Sequence, residues 1–162
     1  MKAFLKSAAF AGALAISGPA FAQELPSTED QLAIQALIAG MNRAVDNVDN
    51  DAYLDFYADE FVFDPGFGEQ YTSRDGIRTF LEENQASGFI VGKRHVATNL
   101  MMEQQGDRIV STYYLTVLER EQAPAVVSTA LITDEFADVG DEWKVVRHVT
   151  SVDPGIFTTM EQ

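Results

Sequence analysis

The sequence predicts an α+β domain in which helices from the first half of the chain pack on one face of a curved, cone-shaped antiparallel sheet. Apolar residues repeat at helical spacing before Gly88, and from Phe89 onward they alternate with a period of two. Short breaks rich in glycine, proline and aspartate divide the second half into four stretches joined at hairpin distance. Helices followed by such a meander form an α+β fold, whose curved sheet leaves a pocket open at one end.

Residues 1–22 have the pattern of a secretory signal peptide. Lys2 and Lys6 precede an apolar stretch, and Ala20-Phe21-Ala22 offers small residues for cleavage after Ala22. The apolar stretch is shorter than the ~20 residues that a membrane span needs. We therefore expect export to the periplasm or out of the cell, with residues 23–162 forming a single domain.

The composition excludes several classes of partner. The chain of 162 residues has 25 acidic and 11 basic residues, a formal charge of −14, and no cysteine. Such a charge disfavours nucleic acid and anionic membranes, and a chain without cysteine holds its fold by its core rather than by disulfides. The sequence has no phosphate-binding loop, dinucleotide fingerprint or nucleophilic serine turn, so no cofactor is expected. The expected partner is a hydrophobic small molecule with little or no charge.

The first helix is predicted to begin at about Glu29, with Ser27 or Thr28 as its cap, and to carry a broad apolar stripe. Beyond this stripe, Ala44, Val48 and Ala52 repeat at the spacing of one helical face. The predicted stripe consists of Leu32, Ile34, Ala36, Leu37, Ile38, Ala39 and Met41.

A second, short helix around Tyr53 is predicted to lead into a strand that ends at Asp64, because proline and glycine follow it. A third helix is expected between its cap, Ser73, and its stop, Gly88. Four strands then follow at about residues 90–103, 108–120, 125–136 and 143–152, with turns near residues 106, 124 and 140.

Several strings in this order of elements resemble the SnoaL-like branch of the NTF2-like superfamily. Residues 45–64, VDNVDNDAYLDFYADEFVFD, are similar to its helix, aspartate, second helix and strand. RHVATN at 94–99 resembles its Arg-His-x-x-x-Asn strand, and EWKVVR at 142–147 resembles its closing strand. The resemblance covers nearly all of the chain from about Asp30 to Val152, and it implies a homodimer formed through the outer face of the sheet. The superfamily contains dehydratases, isomerases and non-catalytic domains, so its motifs specify the fold more than the chemistry.

Two positions match the acid/base residues of dehydratase relatives such as scytalone dehydratase and the bile-acid dehydratases. The resemblance implies a catalytic dyad in which the Asp46 carboxylate orients the His95 imidazole. His95 would remove a proton next to a carbonyl group and then hand it to a leaving hydroxyl. The implied function is that of a cofactor-independent lyase (dehydratase) or isomerase acting on a hydrophobic, carbonyl-bearing substrate.

The match departs from the bile-acid dehydratases at Met41, where those enzymes carry a tyrosine, because a thioether cannot donate a hydrogen bond to an oxyanion. Another residue would have to supply that hydroxyl. Adjacent strand residues face opposite ways, so only one of Tyr113 and Tyr114 is expected to line the cavity. The candidate substrate-binding residues are Tyr53, Tyr57, Tyr113, Tyr114, Asn99 and His148.

Each candidate site residue also has a structural interpretation. Asp64 matches the proton-shuttling aspartate of ketosteroid isomerases, yet an aspartate before Pro-Gly commonly organises a turn. Asp46 is equally interpretable as a buried acid paired with Arg43 or Arg94, and His148 as the partner of a carboxylate. No metal is expected, because the histidines lack the close spacing of a ligand pair. The alternative function is a non-catalytic periplasmic binding protein for an apolar small ligand.

Overall fold

A computed structural model describes residues 24–121 and 125–154 of the chain. The helices are α1 (Thr28–Asp46), α2 (Asn50–Asp55) and α3 (Arg74–Ala86). The strands are β1 (Tyr57–Asp64), β2 (Lys93–Gln105), β3 (Arg108–Glu119), β4 (Val126–Asp138) and β5 (Trp143–Val152). The predicted signal peptide and the predicted turn near residue 124 lie outside the described residues. Within those ranges, no helix has the length and apolar character that crossing a membrane requires.

The five strands form one sheet in the order β1-β5-β4-β3-β2. Strands β2 to β5 pair antiparallel with their neighbours, as the alternation of apolar residues predicted. The first strand, β1, adds to this meander by pairing parallel to β5, so the complete sheet is mixed. A parallel pair needs a long connection between its two strands, and α3 together with β2 to β4 provides it. The α+β prediction is thereby confirmed, with one strand more in the sheet than the sequence indicated.

Side chains satisfy the free backbone N–H groups at the start of each helix. Ser27, Asp49 and Ser73 each accept a hydrogen bond, 3.0 to 3.1 Å long, from the backbone N–H three residues ahead. The predicted caps Ser27 and Ser73 are confirmed. Because these caps fix where α1 and α3 begin, they also fix which helical face meets the sheet.

The predicted apolar stripe of α1 is too broad. Only one face of this helix joins the core, through Ile34, Leu37, Ile38 and Met41. The prediction for Leu32, Ala36 and Ala39 is wrong, because these side chains are exposed. A helix resting on one face of a sheet buries a single stripe, whatever the polarity of its remaining residues.

The predicted helical face through Ala44, Val48 and Ala52 is also wrong. The first helix ends at Asp46, and Val48 adopts a left-handed backbone conformation with φ of 60°. This conformation ends the helix and reverses the chain before α2 begins. The break leaves Asp46 at the final position of α1, where its side chain reaches the sheet.

Candidate functional site

Asp46 and His95 are in contact where the end of α1 meets β2. One carboxylate oxygen of Asp46, Oδ1, lies 2.8 Å from His95 Nδ1 and also accepts the backbone N–H of His95 at 2.9 Å. The side chains are 14% and 12% exposed, respectively. Because an ionised carboxylate only accepts hydrogen bonds, Nδ1 carries the proton, and Nε2 is left free to exchange one. Arg94 Nε lies 4.0 Å from the other carboxylate oxygen.

The edge position of β2 explains why Asp46 can make both of these contacts. In this sheet β2 has a strand neighbour on one side only, so the backbone N–H of His95 that points away from β3 needs another acceptor. The carboxylate at the end of α1 supplies that acceptor and holds the imidazole ring at the same time. Asp46 therefore combines the structural and the orienting roles that the sequence left open.

A cavity of about 140 Å³ lies between the sheet and the helices, and His95 is part of its wall. This volume is close to that of an engineered apolar cavity, about 150 Å³, that accommodates a benzene ring. The wall is largely apolar, with aromatic and aliphatic side chains, and it also contains a few polar groups. Its main side chains are Phe63, Phe67, Phe80, Phe89, Met41, Tyr53, Tyr113, His95, His148 and Thr150.

A second aspartate–histidine pair, Asp134 with His148, lies on the sheet and reaches the same cavity. Asp134 Oδ1 is 2.6 Å from His148 Nδ1, and His148 Nε2 is 3.2 Å from Thr150 Oγ1. The His148 ring stacks on Phe63, with the ring centroids 5.3 Å apart. Asp134 is fully buried, and its other oxygen has no hydrogen-bond partner within the described ranges. Two imidazoles thus border the cavity, each held by a carboxylate.

The sequence analysis missed Asp134, although the sequence contains a signal for it. Along β4, Ile132, Asp134 and Phe136 share one face, and all three are buried. An acid between two core residues at a spacing of two is costly to bury unless a partner satisfies it. The alternation in β4 therefore indicates a buried acid that needs a partner, and His148 lies directly opposite it on β5.

A SnoaL-like domain family model matches residues 26–149 of the sequence. The chain belongs to the SnoaL-like domain family. Among solved structures, it is similar to a protein of unknown function with a cystatin-like fold from Nostoc punctiforme, at 26% identity and a TM-score of 0.75. That match covers 82% of this chain and 97% of the other.

Two further structures share the fold of this SnoaL-like domain. An NTF2-like protein with a cystatin-like fold from Novosphingobium aromaticivorans is 18% identical, with a TM-score of 0.69, and the match covers 78% of this chain and 84% of that one. The beta subunit of the benzoate 1,2-dioxygenase from Burkholderia mallei is 20% identical, with a TM-score of 0.61 and coverage of 75% and 89%. None of the curated proteins matches the chain significantly. These likenesses confirm the NTF2-like fold.

In this SnoaL-like domain, two tyrosines line the cavity whose wall also includes Met41. Tyr53 and Tyr113 both line it, and the Tyr53 hydroxyl lies 2.9 Å from that of Tyr57, which is buried behind the cavity wall. Burial, followed by the negative charge of Asp134, raises the pKa of Tyr113 well above its ordinary value. Burial and the same charge also raise the pKa of Tyr53. Both hydroxyls therefore stay protonated and can act as hydrogen-bond donors.

Three other candidate residues of the SnoaL-like domain lie away from the cavity. Tyr114 is on the opposite face of β3 and is 54% exposed, as expected for one member of an adjacent pair. Asn99 is exposed at the irregularity in β2, with φ of 55°, which turns its side chain away from the cavity wall. Asp64 accepts hydrogen bonds from Gly66 N at 2.9 Å and Gln70 Nε2 at 2.8 Å, so it organises the turn after β1. Tyr114 and Asn99 are therefore wrong as cavity residues.

An open groove of about 670 Å³ runs between α1 and β2 of the SnoaL-like domain, and Asp46 and His95 are part of its wall too. Three arginines, Arg43, Arg94 and Arg120, also line it. No group of three or more His, Asp or Glu residues in the described ranges is arranged to hold a metal ion.

Proposed function

We propose that this SnoaL-like domain is a cofactor-independent lyase (dehydratase) or isomerase that acts by acid/base chemistry on a small hydrophobic molecule with a carbonyl group. The observation that best supports this proposal is the 2.8 Å contact between Asp46 Oδ1 and His95 Nδ1 beside an aromatic cavity. The contact leaves Nε2 as the free proton acceptor of an oriented imidazole. The aromatic wall suits an apolar ring, and the few polar groups can align its carbonyl group.

The reaction would begin when His95 Nε2 removes a proton from the carbon next to the carbonyl group. The electron pair of the broken C–H bond forms a C=C bond, and the negative charge moves to the carbonyl oxygen. Tyr53 or Tyr113 can donate a hydrogen bond to this oxygen, and the Asp46 carboxylate stabilises the imidazolium that has formed. In a dehydratase, the C=O bond then re-forms as the hydroxyl on the next carbon leaves as water with the proton of His95. In an isomerase, the same proton returns to a different carbon.

Deuterium incorporation tests this proposal without requiring the natural substrate. A panel of cyclic ketones and β-hydroxy ketones, incubated with the protein in D₂O, should exchange the proton next to the carbonyl group, as followed by NMR. Replacing His95 with Gln should reduce the exchange rate by about 10²–10⁴-fold, the usual contribution of a positioned acid/base group. Ketone binding should persist in this variant, because the imidazole forms only part of the wall.

The alternative candidate function is non-catalytic binding of an apolar ligand, which the predominantly apolar wall of the cavity favours. The two functions differ in the result of the same experiment. Ketones that bind to the wild-type protein with no deuterium exchange beyond the solvent rate would refute the enzyme and support the binding protein. The His148→Gln variant adds a further comparison, because it shows whether proton transfer depends on the second imidazole as well.

We also propose that the protein acts after export and as a homodimer. The signal-peptide pattern of residues 1–22 supports export. Tyr114 and Leu131 are register neighbours on the outer face of the sheet and are 54% and 40% exposed, which supports association through this face. Intact-mass measurement of the protein recovered from its host tests the removal of the leader. Sedimentation of the wild type and the Tyr114→Lys variant tests the dimer, which should dissociate in the variant.

A further inference from the structure

Among the described residues, two arginines in the groove between α1 and β2 have no carboxylate within ion-pair distance. Apart from Lys2 and Lys6, which lie outside the described ranges, the chain has nine lysines and arginines. Seven of these lie within 4.0 Å of a carboxylate. In the part of the chain that the structure describes, the two without such a carboxylate are Arg43 and Arg120. Both line the same groove.

The charge of this groove is opposite to that of the chain as a whole. Arg43, Arg94 and Arg120 line it together with a single acid, Asp46, so its wall carries a formal charge of about +2 when the charged groups are ionised as usual. The ring and backbone of His95 already use one oxygen of that acid. Charges farther away than the Debye length of about 8–10 Å are largely screened. The wall of the groove is therefore locally positive even though the chain has a net charge of −14.

The inner cavity and the outer groove share two lining residues. His95 lines the inner aromatic cavity and the outer groove, and Asn42 on α1 does the same. The inner cavity, at about 140 Å³, has room for roughly one ring, so the rest of a larger ligand would extend into the groove. Apolar side chains in the groove, including Ile38 and Leu100, can contact a hydrocarbon segment between the two ends.

We propose that the groove binds an oxyanion, a carboxylate or a phosphate, on the molecule whose apolar ring occupies the inner cavity. Guanidinium groups present paired N–H donors that match the oxygens of either anion. A ligand bound at both ends has its middle beside His95, where the proposed proton transfer would occur. This inference deepens the proposed function by assigning the substrate to the class of small ring-bearing organic anions. That the bound anion is a substrate rests on the proposed function.

A binding experiment tests this inference independently of any turnover. The probes are 3-phenylpropionate, phenyl phosphate and the neutral 3-phenylpropanamide, titrated into the ¹⁵N-labelled protein and followed by NMR. At low salt, at least one anion should bind about tenfold more tightly than the amide, because hydrogen bonds between ionised groups are stronger than those to a neutral amide. The preferred anion identifies the class of oxyanion. The backbone signals of the groove, including those of Arg43 and His95, should shift with the anion.

The Arg43→Gln/Arg120→Gln double variant should lose this preference and bind the anion no more tightly than the amide. Amide binding should be unchanged, which shows that the variant is folded and that the inner cavity is intact. The matched control is the Arg78→Gln/Arg108→Gln double variant, because it removes the same charge at surface ion pairs outside the groove. This control should retain the preference of the wild type for the anion.

Equal binding of anions and amide by the wild type would overturn the inference. An equal loss of the preference for the anion in both double variants would also overturn it. The first result would mean that the groove does not recognise charge, and the second that only the total charge of the protein matters. A preference for anions that depends on Arg43 and Arg120 supports the inference whether or not the deuterium exchange test succeeds. In the absence of exchange, the protein would be a binding protein for organic anions.

Discussion

Replacing Asp46 with Ala should lower the free energy of unfolding by about 2–4 kcal/mol. Oδ1 accepts two hydrogen bonds from His95, one from the backbone N–H at 2.9 Å and one from Nδ1 at 2.8 Å. Hydrogen bonds to a charged group contribute about 1.5–3 kcal/mol each, which gives an upper range of about 3–6 kcal/mol. The partial exposure of the pair reduces this value, since water can replace the lost acceptor. The substitution also removes a negative charge from the C-terminus of α1, where the helix dipole disfavours it, and this reduces the loss of stability by about 0.3–1 kcal/mol more.

The Asp46→Asn variant separates the charge of this residue from its hydrogen bonding. The amide oxygen can still accept from both N–H groups of His95, so we expect a smaller loss, about 1 kcal/mol. Asp55 provides a matched control because it is the final residue of α2, as Asp46 is of α1, and it is exposed. The Asp55→Ala variant should change stability by less than about 0.5 kcal/mol.

Urea unfolding followed by circular dichroism measures these differences, and histidine ring NMR reports the proton on Nδ1. We expect His95 to show the Nδ1–H tautomer in the wild type and to lose this preference when Asp46 is Ala. If Asp46→Ala were no more destabilising than Asp55→Ala, and the tautomer did not change, the two side chains would not be bonded in solution. The acid/base proposal would then lose its main support.

Three further variants or conditions have defined outcomes. Gly66→Ala should be more destabilising in urea unfolding than Gly68→Ala. Both positions have φ near +80°, which costs an L-residue about 1–2 kcal/mol. Only at Gly66 would the new methyl group also clash with a backbone carbonyl on β5. The hydrogen bond from Lys93 lowers the pKa of Glu119 from 4.5 to about 2, so its stabilising effect is complete above pH 4.5 and is lost as the pH falls toward 2. Lys93→Met should therefore flatten the fall in melting temperature measured between pH 5 and pH 3. Tyr53→Phe should cost about 1 kcal/mol by removing its buried hydrogen bond, with circular dichroism unchanged.

Local signals in the sequence were sufficient for most of the fold. The turns at Gly106 and Gly140, where φ is positive, correspond to the predicted breaks, and the strands between them follow the alternation of apolar residues. Local signals could not identify the partner of β1, because pairing between distant segments depends on the packing of the whole domain. They also could not reveal the reversal at Val48, since a β-branched residue with positive φ opposes its own backbone preference.

The candidate site was predictable only where the sequence resembled known relatives. The Asp46 and His95 positions came from that resemblance, since the two residues are far apart in the sequence and periodicity cannot show that they touch. The sequence indicated that Tyr113 and Tyr114 lie on opposite faces of their strand, but not which of the two is buried. Packing against the core buries Tyr113 and leaves Tyr114 exposed. The core alternation of β4 marks Asp134 as a buried acid, but it does not identify His148 as the partner, because that residue lies on another strand.

The strand order also affects how this protein folds during synthesis. The first strand, β1, leaves the ribosome early, but its neighbour in the sheet is β5, the last strand to be made. Phe63 on β1 bridges to nearby Tyr71, but its partner on β5 is absent until His148 has been translated. Contacts between distant segments form slowly because the intervening chain must first be ordered. The aromatic wall of the cavity is thus assembled last, and until then its apolar residues are available to chaperones and to aggregation.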